Sequence, residues 1–268
     1  MNVLDLFSGI GGFSLGLERT GGFNTVAFCE CDPYCQRVLR KHWPDVPCFP
    51  DVATLRGTDV PRVDLICGGF PCQDISLAGK GAGLAGERSG LWREFARIIG
   101  EVRPRYVIVE NVPALLGRGM GRVLGDLAAL GYDAQWHCIP AAVLGAPHRR
   151  DRLWIVAYPN GAGREDMRHG RGVLDAGTGA VGSPQRVPQL SGDSGAGQEL
   201  AVADADGEPT GRLAIPRAQC DGWRSEPDVG RVAHGVPARV DRLRALGNAI
   251  VPQIAELLGH AILAHAQQ

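Results

Sequence analysis

From Asn2 to Ala157 the sequence alternates short apolar runs with segments of helical spacing, and this order constrains the fold more than any other feature. The strand candidates are Asn2–Leu6, Asn24–Cys29, Asp64–Cys67, Tyr106–Asn111, Asp133–Ile139 and Arg152–Ala157. The helix candidates between them are Gly12–Arg19, Pro33–His42, Ser89–Val102 and Gly119–Leu130. In the last of these, Val123, Leu124, Leu127 and Leu130 recur at helical steps, and Gly131 is a natural C-cap. Repeated strand–helix units predict a doubly wound, mostly parallel α/β sheet with helices on both faces. Only "PAAVLGAPHRR" separates the last two strands, which therefore read as an antiparallel pair at one edge.

The texture changes at residue 158. From there to 239 the chain is rich in Gly, Pro, Ser and Asp, and Tyr158 and Trp223 are its aromatics. "VAYPNGAGRE" and "VADADGEPTGR" echo each other, but two copies are too few for a repeat fold. Such a segment buries little core, and part of it is expected to be disordered. Residues 240–268 regain patterning and read as a loop followed by a helix from Pro252, with Ile254, Leu257, Leu258, Ile262 and Leu263 on its apolar face. The expected layout is thus 1–157, 158–239 and 240–268.

At 268 residues the chain can bury one large core. Its net charge is −1, so nucleic-acid binding would need a local cluster of cations. The sequence offers no apolar run of about 18 residues and no signal-peptide layout, which points to the cytoplasm and away from a membrane. Eight cysteines without paired C-x-x-C spacing predict reduced thiols and no metal site.

Four motifs carry chemistry. "DLFSGIGG" ends the first strand in a Gly-rich turn that lets a cofactor reach the backbone and a helix N-terminus. Ser14 stands where a third dinucleotide glycine would fall, so the motif alone reads equally as an ordinary tight turn. Glu30, at the end of the second strand, has the spacing of a ribose-binding carboxylate. Asp32 reads as the cap of the helix that opens at Pro33, and Asp51 as a third carboxylate able to accept from an adenine amino group.

"GGFPCQDIS" places Cys72 on a turn beyond a strand. A nucleophilic thiol needs such access together with a lowered pKa. A purely structural role suits Cys67 better. The Gly-rich stretch that follows, with Lys80 and Arg88, suits a loop that closes over a substrate. Glu110 ends an apolar strand, where burial raises a carboxyl pKa and makes it a proton donor. In "PHRRDRLWIV", strand alternation would send Arg150 and Arg152 to one side and Arg149 to the other.

Taken in order, DLFSGIGG, GGFPCQDIS, ENV, HRRDRLWIV and RALGNAIVPQ resemble the DNA cytosine-5 methyltransferases of bacteria and phages, over residues 1–157 and 240–260. The resemblance implies a Rossmann-like, S-adenosylmethionine-dependent methyltransferase fold with one antiparallel strand and a small variable target-recognition region. It implies cofactor contacts from Phe7, Gly9, Gly11, Glu30, Asp51, Pro71, Leu91 and Asn248. Cys72 would be the nucleophile, with Glu110, Arg150 and Arg152 completing the catalytic set. Gln73, Ser76, Lys80 and Asn111 would contact the substrate. The implied partner is double-stranded DNA with its target cytosine flipped out. A monomer and a cognate restriction endonuclease in the same system are further implications.

The chain departs from the family pattern at His148, where a Gln is usual, and in lacking an "R-L-x-G-F-P" stretch before the last motif. The variable region is short and poor in aromatics. Two rivals stand beside this reading: a tRNA cytosine-5 methyltransferase, which a short recognition region would suit, and a non-catalytic binding relative, against which the intact Cys72, Glu110, Arg150 and Arg152 argue.

Overall fold

The computed structural model describes residues 1–71, 90–160, 200–203, 209–213 and 239–267. The chain forms two compact units, Met1–Ala162 with Ser225–Gln268, and Gly163–Arg224. In the second, β8 (Leu200–Ala203) and β9 (Pro209–Leu213) pair antiparallel.

The first unit is built on seven strands: β1 (Asn2–Leu6), β2 (Asn24–Cys29), β3 (Cys48–Phe49), β4 (Leu65–Gly68), β5 (Tyr106–Asn111), β6 (Tyr132–Pro140) and β7 (Asp151–Pro159). Their spatial order is β3-β2-β1-β4-β5-β7-β6. β1 to β5 pair parallel, while β7 runs antiparallel to both β5 and β6. β7 is therefore the one reversed strand of this sheet, and β6 lies at its edge beside β7, as the short connection predicts.

The helices of this unit are α1 (Gly12–Arg19), α2 (Pro33–His42), α3 (Leu91–Val102), α4 (Leu115–Arg118), α5 (Met120–Ala129), α6 (Arg239–Asn248) and α7 (Pro252–Ala266). α2 begins where Asp32 Oδ1 accepts the Tyr34 and Cys35 N–H groups at 2.8 and 3.2 Å, with Pro33 supplying a preset first turn.

Alternation along each strand divides the sheet into two faces. Leu4, Leu6, Ile66, Val107, Val109 and Ile155 pack with Trp92, Phe95, Ile98 and Ile99 of α3 and Val123 and Leu127 of α5. The opposite face meets α1, where Ser14 bonds Asp5 and the Phe13 ring stands edge-on to Trp154 at 5.5 Å. α7 covers α1 through glycines. A Cβ on Gly12 would lie 2.7 Å from Ile250 O, and one on Gly16 only 2.1 Å from Pro252 O.

α6 corrects the expectation of a loop over Arg239–Asn248. Its apolar residues Val240, Leu243 and Leu246 are 77, 61 and 64% exposed, so they carry no buried stripe for a sequence pattern to reveal. The stretch Val240–Ala266 is long and apolar enough to cross a membrane by length and composition. Here the helix breaks after Asn248, and α7 buries Ile254, Ala255, Gly259 and Ile262.

Candidate active site

The carboxyl ends of β1, β2, β4 and β5 open on one edge of the sheet, with the switch in strand order between β1 and β4. In doubly wound sheets this crevice is where ligands bind. Because β7 is reversed, its first residues reach the same edge.

The turn after β1 is held open by its backbone. Phe7, Gly9 and Gly11 have φ values of 53°, 56° and 85°. A Cβ on Gly9 would meet nothing within 4 Å, whereas one on Gly11 would lie 2.6 Å from the Trp43 ring. The turn thus has open space on one side and a close aromatic wall on the other. Glu30 spans it: Oε2 accepts from Gly9 N–H and Oε1 from Asp32 N–H, each at 2.7 Å. Asp51 is exposed, and its Oδ1 accepts from Ala53 N–H at 2.9 Å. The half-buried Phe7 ring stacks on Phe95 at 6.1 Å. Leu91 opens α3 and packs on the core. Pro71 is half-buried beyond Phe70, which is buried against Trp92 at 5.3 Å. Asn248 is exposed at the end of α6.

An ion pair between the buried Glu110 and the partly buried Arg152 lies at this edge, between β5 and β7. Glu110 faces Trp154 in the β5–β7 register, and Arg152 lies two residues along β7 on that same side. Its Nε sits 3.0 Å from Glu110 Oε1. Burial raises the Glu110 pKa to about 7, while Arg152 and then Arg150 pull it down. Near neutral pH this carboxyl therefore stands between donor and acceptor states. A Cβ on Gly69 would lie 2.9 Å from Glu110 Oε2, so the first glycines of the GGFPC turn are what allow the turn to pass beside this carboxylate.

Two residues make contacts that no sequence pattern indicates. Arg150 lies before β7 with φ 37°, so strand alternation does not extend to it. Its Nη1 and Nη2 donate to Gly247 O at 2.9 Å and Ala249 O at 2.6 Å. Asn111 is buried, donates to Phe70 O at 3.2 Å and accepts from Val112 N–H at 2.8 Å. It ties β5 to the segment entering the GGFPC turn, a bond no sequence pattern announces.

Cys72, Gln73, Ser76 and Lys80 lie outside the described residues. Among the described cysteines, burial is the main cause that pushes the Cys29 and Cys35 thiols up to about 12 and Cys67 well above its ordinary value. None of these three carries the lowered pKa of a nucleophile. Asp5 on β1 escapes a motif-based reading altogether. It is fully buried with its Oδ1 unpartnered, and burial raises its pKa to about 8.

The turn and carboxylates fit a nucleoside bearing a charged tail. Glu30 and Asp51 suit hydroxyl and amino donors, and the glycine turn suits close approach to the backbone.

Known proteins are similar to this chain in sequence and fold. A "Type II methyltransferase M2.BsuMI" of Bacillus subtilis is 39% identical over 165 residues, covering 59% of this chain and 42% of that protein. M.NgoBI of Neisseria gonorrhoeae is 36% identical over 160 residues, covering 58% and 50%. The chain thus spans half or less of the length of these relatives. Among solved structures, a protein described as a DNA modification methyltransferase of an E. coli prophage superposes with a TM-score of 0.51 at 26% identity, covering 59% of this chain and 47% of that one. A Spodoptera frugiperda DNMT2 mutant shares the fold, at a TM-score of 0.51 and 21% identity, over 60% of this chain and 50% of its own. The family model for C-5 cytosine-specific DNA methylases matches residues 1–188, and the chain belongs to that family.

Proposed function

We propose that this chain transfers a methyl group to C5 of a cytosine flipped out of double-stranded DNA. The observation that carries this reading is the ion pair of the buried Glu110 with Arg152, beside the turn that leads through Pro71 to Cys72. Phe7, Gly9, Gly11, Glu30, Asp51, Pro71, Leu91 and Asn248 would hold S-adenosylmethionine. When bound, that cofactor supplies an electrophilic methyl group.

Cytosine C5 is a weak nucleophile. Attack by the Cys72 thiolate on C6 forms an S–C6 bond and moves the ring π electrons toward C5, which becomes enamine-like. Glu110, with a pKa near neutrality, donates a hydrogen bond or proton to N3 as charge develops there. Arg152 orients Glu110 and presents a cation to the base edge. After methylation, loss of the C5 proton to a base re-forms the C5–C6 double bond and expels the Cys72 thiolate. Gln73, Ser76 and Lys80 would contact the flipped nucleotide from the loop that follows. Asn111 would serve by fixing the carbonyl of Phe70.

Residues 158–239 would read the bases around the target, and residues 240–268 would complete the cofactor domain of a monomer. The setting would be a bacterial cytoplasm, in a restriction–modification, phage or solitary context, with a cognate endonuclease as partner in the first case. The test is methyl transfer from labelled S-adenosylmethionine to unmethylated genomic DNA, followed by bisulfite sequencing. C5 methylation in one short context is the expected result. Transfer to tRNA alone would overturn the DNA assignment.

A further inference from the structure

We infer that Arg150 is a positioning residue that clasps the segment 247–252 and so joins the cofactor side of the crevice to the catalytic side. The inference rests on the methyl-transfer reading only for what the crevice binds. The resemblance implies a catalytic role for Arg150, and its guanidinium is already engaged by backbone carbonyls. Two of its nitrogens donate to Gly247 O and Ala249 O, at 2.9 and 2.6 Å.

These carbonyls lie at and just beyond the end of α6. The last carbonyls of a helix have no partner within it, and the helix dipole makes that end negative. An arginine fork answers both needs with two charge-assisted bonds. The backbone bends to allow it: φ at Arg150 is 37°, a region that a side chain longer than Asn rarely adopts, and one that persists only where its surroundings fix it.

The clasped segment lies against α1 and against the turn that leads to Cys72. Ile250 O lies 2.7 Å from where a Cβ on Gly12 would sit, at the start of α1 and next to the cofactor turn. Ile250 Cδ1 lies 3.7 Å from the corresponding position on Gly69, in the turn that leads to Cys72. Pro252 O abuts Gly16. Asn248 stands between the two carbonyls that Arg150 holds, so the clasp sets where its amide lies. Arg150 also remains within electrostatic reach of Glu110 and Arg152.

A substrate-binding arginine and a clasp differ in what they control before DNA arrives. The experiment compares wild type, Arg150→Ala and Arg150→Lys without DNA. It measures calorimetric affinity for S-adenosylhomocysteine and hydrogen–deuterium exchange over residues 247–254. The clasp predicts affinity about tenfold weaker in Arg150→Ala, with faster exchange in that segment, because one such bond is worth about a factor of ten or more. Lys can make one of the two bonds, so Arg150→Lys should fall between wild type and Ala in both measurements. If Arg150→Ala does not fold, Arg150→Lys carries the test. Wild-type affinity and exchange in the Arg150 variants, with loss confined to kcat on DNA, would overturn the clasp. The exchange measurement needs neither cofactor nor DNA, so it stands even if wild-type protein transfers no methyl group to DNA.

Discussion

Arg152 Nε lies 3.0 Å from Glu110 Oε1, across the antiparallel pairing of β5 with β7. Glu110 is buried, and its pKa is raised to about 7 because desolvation outweighs the pull of the two arginines. A charge partner and a dry site thus oppose each other and leave the carboxyl able to give or keep a proton near neutrality.

Glu110→Gln should lower kcat about 10²–10⁴-fold, the usual contribution of positioned proton transfer, while S-adenosylhomocysteine still binds. The free-enzyme pKa should also show in kcat/KM for DNA. The donor form prevails below about pH 7, so this limb should decline as pH rises through that value. The Gln variant should lack the decline.

Cys72→Ala should abolish methyl transfer and leave cofactor affinity at the wild-type level. Methylated product from this variant, read by bisulfite sequencing, would remove Cys72 from the nucleophile's role.

Asp5 links stability to pH. Its folded-state pKa of about 8 lies above the ordinary 3.8, so the native state keeps a proton that the unfolded chain releases. Native stability is therefore full at acidic pH and falls as pH rises between those values, by about 1.4 kcal/mol per unit where the proton difference is complete. Glu110 adds to the same slope between 4.5 and about 7. Asp5→Asn should flatten the curve, most visibly from pH 7 to 8, when urea midpoints are compared across pH.

Gly16→Ala should destabilise the first unit by about 1–3 kcal/mol, the usual cost of overpacking. The new methyl would collide with Pro252 O and push α7 from α1. A lower melting temperature at unchanged secondary-structure content is the expected result.

Much of the fold is legible in the sequence because its helices are anchored by local signals. β1, β2, β5, α1 and α2 fall on the residues that periodicity, the Asp32–Pro33 cap and the Gly turn indicate. α6 is not legible, since its apolar side chains face outward and give no amphipathic stripe against the core. Glu110 and Arg152 can be paired from strand alternation, because β7 is extended at Arg152. Arg150 defeats the same argument one step earlier, where a positive φ redirects the side chain. The bond from Asn111 to Phe70 joins residues that only the β4–β5 pairing brings together.

The glycine-lined contact between α1 and α7 also sets when the protein can begin to work. α1 is translated more than 200 residues before the Ile250–Ala255 stretch that fits against Gly12 and Gly16. Domains gain structure from the N-terminus as they are synthesised. The nascent chain therefore emerges with its first helix uncovered, and the crevice gains its final wall only once the closing helix has been translated. A chain that stopped before α7 would therefore leave the glycine face of α1 without its cover.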